Sequence, residues 1–240
     1  MSLQIPNNLE ILYEDEFLFA INKPAEIHSV MLEQSDSPSI AQILIESDPL
    51  WGEVSSKIED AGLVNRLDFE TSGILLAAKS KQIWIDLRAT ILSESVYKSY
   101  VALVEGHLCG QHEIDNFIGT SARRAKKVKV FLKEPRKKDR ALPAKSEFVS
   151  LRYVEHFDAT FVRAIIYCAR RHQVRAHAQF LNHPLLGDEL YGSTRNLTET
   201  IGAKSPGFFL HGERMKFVHP VSNEIVDISA PIPDWTKPFL

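Results

Sequence analysis

The chain has 240 residues, 44% of them hydrophobic and 25% charged, and a formal net charge of −3. That length allows one large domain or two small ones with a real core, and the composition is ordinary for a soluble globular protein. Its longest apolar runs, near residues 17–21 and 74–78, fall far short of the roughly 20 residues of a membrane span, and its first residues lack the basic start and apolar stretch expected of a secretory signal.

In chain order, residues 11–13 and 17–22 read as two short strands, followed by a turn at Lys23-Pro24. Ser37-Pro38 predicts a helix start, with serine as N-cap, proline in the first helical position, and Ile40, Ile43 and Leu44 as the apolar stripe. Residues 64–68 and 73–78 are apolar strand candidates divided by a turn over 69–72. Ser80 is placed to cap a helix over 81–92, where Ile83, Leu87 and Ile91 recur at helical spacing. Residues 98–104 alternate as a strand, and 148–153 with 160–167 look like a pair of long strands. A helix is predicted over 171–181, with Arg171, Arg175 and Gln179 on one face opposite Val174, Ala178 and Leu181. Residues 208–217 and 225–228 finish as strands. Many strands and about three helices without regular alternation predict an α+β fold. Its sheet is expected to be mixed and largely antiparallel, flanked by a few helices around a central cleft. No repeat or linker interrupts the pattern, so residues 1–240 are expected to form a single domain.

The net charge hides an uneven distribution. Within residues 123–140, ten basic side chains (Arg123, Arg124, Lys126, Lys127, Lys129, Lys133, Arg136, Lys137, Lys138 and Arg140) accompany two acidic ones, Glu134 and Asp139. The segment is +8 and the remainder of the chain −11. Lys127, Lys129 and Phe131 alternate with Val128, Val130 and Leu132 as on a strand. A basic ribbon on an acidic body is a phosphate-tracking element.

Acidic residues are rarely buried unless something pairs with them. Asp68 lies among apolar residues in Val64-Asn65-Arg66-Leu67-Asp68-Phe69-Glu70-Thr71-Ser72-Gly73 and therefore requires an explanation. Thr71-Ser72-Gly73 reads as a turn, because no G-x-S-x-G elbow accompanies it. His172, His177 and His183 are five and six residues apart, which is no zinc-binding spacing, and no metal is expected. Cys109 and Cys168 lack C-x-x-C spacing and read as reduced thiols of a cytoplasmic protein.

Four separated blocks resemble, in order, the motifs of the RluA-like family of RNA pseudouridine synthases. Ile21-Asn22-Lys23-Pro24 is similar to that family's N-K-P, and Arg66-Leu67-Asp68 with Thr71-Ser72-Gly73 to its R-L-D-x-x-T-S-G. Lys98-Ser99-Tyr100-Val101-Ala102-Leu103-Val104-Glu105-Gly106 is similar to its K-x-Y-x-A-L-V-x-G strand. Ala169-Arg170-Arg171-His172-Gln173-Val174-Arg175-Ala176-His177 forms the fourth block, continued by His183-Pro184-Leu185-Leu186-Gly187-Asp188-Glu189-Leu190-Tyr191-Gly192, and Leu210-His211 opens a late strand. Asn65 stands where the family usually has histidine, and Ala169 and Arg171 replace its glycine and threonine. The resemblance covers a catalytic domain without the N-terminal RNA-binding extension that some relatives carry.

The resemblance implies a uridine-to-pseudouridine isomerisation without metal or cofactor. The bond between ribose C1′ and uracil N1 breaks, the base rotates, and C1′ rejoins at C5. A carboxylate must stay ionised at the sugar–base junction; whether it attacks C1′, adds to the base or removes the C2′ proton stays open. Asp68 is the matching carboxylate, Arg175 its implied ion-pair partner, and Tyr100 the residue implied to stack on the extruded uracil. Burial alone would raise the Asp68 pKa and a neighbouring arginine would lower it. Arg66 is implied to enter the RNA where the flipped base left, and Arg171 and His172 to lie against RNA. With Arg123, Arg124, Lys126, Lys127, Lys129, Lys137 and Lys138 on phosphates, the expected partner is tRNA or rRNA and the expected state a monomer.

Two rival readings compete with this one. A non-catalytic RNA-binding protein that kept the fold would account for Asn65 and Ala169, but has no need of Asp68. A small-molecule hydrolase using Asp68 with a histidine would leave the basic ribbon unexplained.

Overall fold

A computed structural model describes residues 3–32, 37–120, 125–195 and 207–239. The elements, in order, are β1 (Ile11–Glu14), β2 (Leu18–Lys23), α1 (Ile40–Ser47), α2 (Trp51–Val54), β3 (Ser72–Ala78), α3 (Lys81–Ile91), β4 (Tyr97–Glu105), β5 (Gln111–Gly119), β6 (Lys129–Phe131), β7 (Leu142–Val154), β8 (Ala159–Tyr167), α4 (Gln173–Phe180), β9 (Leu210–Val218) and β10 (Ile225–Ser229). The class is α+β, as the sequence predicts. Among the described residues no helix is long and apolar enough to cross a membrane.

The chain divides into two compact units. The first comprises Met1–Val96 with Gly212–Pro231, and the second Tyr97–His211 with Ile232–Leu240. In the first unit β1 pairs with β2, β2 with β3, and β10 with β9, all antiparallel. The buried side of β2 and β3 (Phe19, Ile21, Leu75) packs with Leu44 of α1, Trp51 of α2 and Leu87 of α3 in one apolar cluster. The predicted cap of α3 holds, with the Ser80 Oγ accepting the Ile83 N–H at 3.4 Å. The cap of α1 moves from Ser37 to Ser39, whose Oγ accepts the Gln42 N–H at 3.1 Å. Gly73 has φ +116°, and a Cβ there would collide with the Gly212 carbonyl oxygen. Only glycine fits that approach.

The second unit is built on the antiparallel ladders β4–β8, β8–β7, β7–β5 and β5–β6. Helix α4 places Val174 and Ala178 against Ala102, Val104, Phe148 and Val162. Its Ala176 joins a second cluster with Ile118, Val128, Ala144 and Tyr191. Strand β5 is absent from the sequence-based expectation, because one of its inward positions is the polar Asn116, between Ile114 and Ile118. The predicted ribbon is shorter than expected: Val128 is buried and β6 ends at Phe131, leaving Leu132 73% exposed.

Candidate functional site

Asp68 sits in the first unit, half-buried, on an irregular stretch rather than the strand predicted over 64–68. The chain does start along the edge of β3. The Ala78 N–H donates to Gly62 O at 2.9 Å and the Val64 N–H to Leu76 O at 2.9 Å. At Asn65 the main chain leaves, and the side-chain amide takes over the ladder. Its Nδ2 donates to Ile74 O at 3.1 Å and its Oδ1 accepts the Leu76 N–H at 2.8 Å. A primary amide presents the same donor and acceptor as a peptide group, so residues 66–68 are released from pairing without leaving β3 bare.

The released backbone is held elsewhere. The Ser29 hydroxyl, almost fully buried, accepts the Leu67 N–H and donates to Leu67 O, both at 2.9 Å. The Phe69 carbonyl accepts the Glu26 N–H at 2.8 Å and the Lys23 ammonium at 3.4 Å. The Thr71 N–H closes a turn on Asp68 O at 3.1 Å, and the Phe69 ring lies against His28 with centroids 4.7 Å apart. Asp68 is thus bracketed by two residues whose main chains are fixed. Lys23 is fully buried and also donates to Pro24 O and Ile27 O, both at 2.8 Å. Burial pushes its pKa down to about 7, against the opposing attraction of Asp68 and Glu70. Arg66, one residue past the Asn65 amide, is exposed.

Tyr100 and Arg175 belong to the second unit. Tyr100 is half-buried on β4, opposite Ala164 of β8, and packs on the apolar cluster under α4. Arg175 is buried on α4 and meets Asp188 in a two-pronged ion pair, Nε to Oδ2 at 2.7 Å and Nη2 to Oδ1 at 2.8 Å. Its guanidinium carbon lies 5.1 Å from the centre of the Tyr191 ring and 4.3 Å from that of Phe208. The fork geometry and the two aromatic faces fix the plane of the charge. Gly187 precedes Asp188 with φ +88°, and a Cβ there would strike the Gly207 carbonyl oxygen. Asp188 and Tyr191 both lie in the fourth motif block, whose presence is the one signal for them; nothing in their spacing pairs them with Arg175.

Helix α4 begins two residues later than predicted. His172 is its N-cap with φ +53°, so Arg171 precedes the helix, and Arg175 is buried while Gln179 is exposed. The predicted shared face of Arg171, Arg175 and Gln179 therefore does not exist; the left-handed turn at His172 takes Arg171 off the helix. The Arg171 guanidinium is exposed and donates from Nη1 to Ala125 O at 2.9 Å and from Nη2 to Lys126 O at 2.7 Å. The His172 Nδ1 is 3.0 Å from the Tyr191 hydroxyl, which also accepts the Val128 N–H at 3.0 Å. Burial pushes the Tyr191 pKa up to about 12, so the phenol keeps its proton.

Lys126, Lys127, Lys129, Lys137 and Lys138 are all exposed, on or beside β6 and a short 3-10 turn over Lys137–Asp139. Arg123 and Arg124 lie outside the described residues. Among the described residues no three His, Cys, Asp or Glu side chains gather as a ligand set. His177 is buried between the Ser146 hydroxyl at 2.8 Å and Asn116 Oδ1 at 3.0 Å, and burial lowers its pKa to about 4. His183 Nδ1 lies 2.6 Å from Glu105 O. Cys109 and Cys168 are not joined in a disulfide.

Comparison with known proteins gives a consistent picture. The sequence model of the family described as RNA pseudouridylate synthase matches residues 18–180. Ribosomal large subunit pseudouridine synthase D of Xylella fastidiosa is 33% identical over 94% of this chain, which spans 66% of that protein. The tRNA pseudouridine synthase C of Pasteurella multocida is 32% identical over 92% of this chain and 90% of its own length. The structure of human RNA pseudouridylate synthase domain containing 1 has a similar fold, with a TM-score of 0.69 at 23% identity, over 98% of this chain and 89% of that one. With Asp68, Tyr100 and Arg175 all inside the matched span, the chain belongs to the RNA pseudouridylate synthase family.

Proposed function

We propose that this protein is an RNA pseudouridine synthase that isomerises specific uridines of structured tRNA or rRNA, with Asp68 as the catalytic carboxylate. The observation that carries this reading is the bracing of the Asp68 loop. Ser29 holds Leu67 on one side and Glu26 with Lys23 holds Phe69 on the other. A carboxylate on an irregular stretch, fixed by its neighbours' main chains, is preorganised for one task.

The target uridine is flipped from its stack, at a cost of a few kcal/mol. The Tyr100 ring stacks on the uracil, a contact worth roughly 1–3 kcal/mol, and its hydroxyl assists removal of the C5 proton. Asp68 engages the sugar–base junction while the C1′–N1 bond breaks. Arg175, oriented by Asp188, contributes a fixed positive charge to the reaction. The base turns, C1′ bonds to C5, the C5 proton leaves to solvent, and N1, which kept the electron pair of the broken bond, takes up a proton from solvent. Arg66 fills the gap in the RNA, and Lys126, Lys127, Lys129, Lys137 and Lys138 track phosphates. Of the two named bacterial relatives, one is a ribosomal large subunit pseudouridine synthase and the other a tRNA pseudouridine synthase, and the cytoplasm is where this chain would meet either RNA.

The test is tritium release from RNA labelled at C5 of uridine, prepared from cells lacking the gene. Wild type is expected to release tritium and Asp68→Ala to lose release by more than a thousandfold. Salt-sensitive RNA binding with no release by wild type would favour a non-catalytic binder. Release by both proteins would mean another residue is the catalyst. Neutralising Lys126, Lys127, Lys137 and Lys138 together should flatten the salt dependence of binding, by up to about 0.9 for each phosphate no longer neutralised.

A further inference from the structure

Three main-chain groups at the base of the basic ribbon are tied to the turn and helix that carry Arg175. The carbonyls of Ala125 and Lys126 accept the two Nη groups of Arg171, and the Val128 N–H donates to the Tyr191 hydroxyl. Val128 itself is buried in the same apolar cluster as Ala176, the residue after Arg175. Tyr191 is the shared hinge pin. Its hydroxyl meets His172, the N-cap of α4, and its ring faces the Arg175 guanidinium. The Arg175 partner Asp188 caps the same turn, with its Oδ1 accepting the Tyr191 N–H at 3.3 Å. From the exposed lysines to the buried guanidinium there is an unbroken chain of short contacts.

Arg171 stands where the family usually has threonine, a side chain too short to span to two carbonyls 45 and 46 residues away in sequence. Guanidinium presents its N–H donors as a rigid planar fork, which suits two adjacent acceptors. Here that fork points at protein main chain.

We propose that Arg171 is a positioning strut rather than a phosphate contact: it locks the basic ribbon to the Arg175 helix, so that RNA gripped by the ribbon steadies the catalytic arginine. The catalytic use of the strut rests on the activity proposed above; the strut itself does not. Phosphates bound at Lys126 and Lys127 pull on the main chain that Arg171 and Tyr191 hold. A tethered ribbon passes that restraint to His172 and Arg175, whereas a loose one binds RNA without it.

Two substitutions separate a strut from a phosphate contact. Arg171→Lys keeps the charge and loses the fork; Arg171→Thr loses both. Arg171 is exposed, so both variants are expected to keep the wild-type melting temperature within a few degrees. Amide hydrogen exchange of residues 125–131 is read first, on the free full-length protein with no RNA present. A strut predicts faster exchange there, about tenfold, in both variants. Binding of total RNA from cells lacking the gene should then keep its salt slope, while kcat for tritium release falls about tenfold in both, with the smaller change in KM.

A phosphate contact predicts the reverse. Exchange stays at the wild-type rate, the lysine variant binds like wild type, and the threonine variant alone loses about 0.9 from the salt slope. That result overturns the proposal. Faster exchange with unchanged kcat would overturn the coupling, leaving Arg171 as mere scaffolding. If wild type neither binds nor modifies RNA, the proposed activity fails, and the exchange data still decide whether Arg171 is a strut.

Discussion

The Asp68 loop and the Arg175 helix solve opposite problems. Asp68 lies on backbone that belongs to no regular element, so its supports are directed at main chain: Asn65 to β3, Ser29 to Leu67, Lys23 and the Glu26 amide to Phe69. Arg175 lies on a helix that already satisfies its own backbone, so its supports are directed at the side chain: Asp188 with two bonds along one edge, Tyr191 and Phe208 on its faces. Buried polar groups must be satisfied in either case. What differs is which groups remain once secondary structure has taken its share. The first design holds a position by many modest contacts, the second by one strong buried pair.

That contrast predicts its largest effect at Asp188. Asp188→Ala removes the two-pronged partner of a buried guanidinium and should cost about 3–5 kcal/mol in urea unfolding. The double variant Asp188→Leu with Arg175→Met should recover much of that stability and none of the activity. If Asp188→Ala cost no more than a loop support, the proposed division of labour would be wrong.

The two regions should also answer differently to pH. His177 titrates near 4 in the fold and near 6.5 unfolded, so below about pH 6.5 the unfolded chain binds a proton that the folded one refuses. Stability therefore falls as pH drops from 6.5 to 4, at about 1.4 kcal/mol per unit of pH. Lys23 titrates near 7 in the fold and near 10.5 unfolded, so its contribution rises between pH 7 and 10.5. Unfolding measured across both ranges should show His177→Gln flattening the acid window only, and Lys23→Met the alkaline one only. Crossed effects would show that the two regions do not titrate independently.

Smaller effects belong to the loop. Ser29→Ala removes the hydroxyl that both main-chain groups of Leu67 use and should cost about 1–3 kcal/mol. It should lower kcat by more than it raises KM, since the Asp68 position, not RNA affinity, is what Ser29 maintains. Asn65→Ala should cost about 1 kcal/mol, with a similar but weaker kinetic signature. A change confined to KM in either variant would move these residues to the RNA side of the problem.

The legible parts of this chain are those governed by periodicity or by short local rules. Ile83, Leu87 and Ile91 announce α3, Ser80 its cap, and the alternation of Val128 and Val130 the side of the ribbon that packs inward, Val128 buried and Val130 partly so. The motif blocks single out Asp68, Tyr100 and Arg175, which the fold carries on a loop, a strand and a helix. What escapes a reading of the sequence are supports that act across long separations. Lys23 reaches Phe69 over 46 residues and Ser29 reaches Leu67 over 38; no spacing rule connects a side chain to a distant carbonyl. The end of the 64–68 strand is hidden for a related reason, because an amide side chain can imitate the peptide it displaces. Arg171 reads as part of the helix because i, i+4 spacing carries no sign of the left-handed turn at His172.

The supports beside Asp68 grip peptide groups, and peptide groups are the same whatever side chain they carry. Arg66, which is exposed, can therefore be exchanged for another residue without shifting the acid two positions on. Under the proposed function, a lineage can redraw the contacts that choose a uridine, one exposed side chain at a time, while the carboxylate stands still.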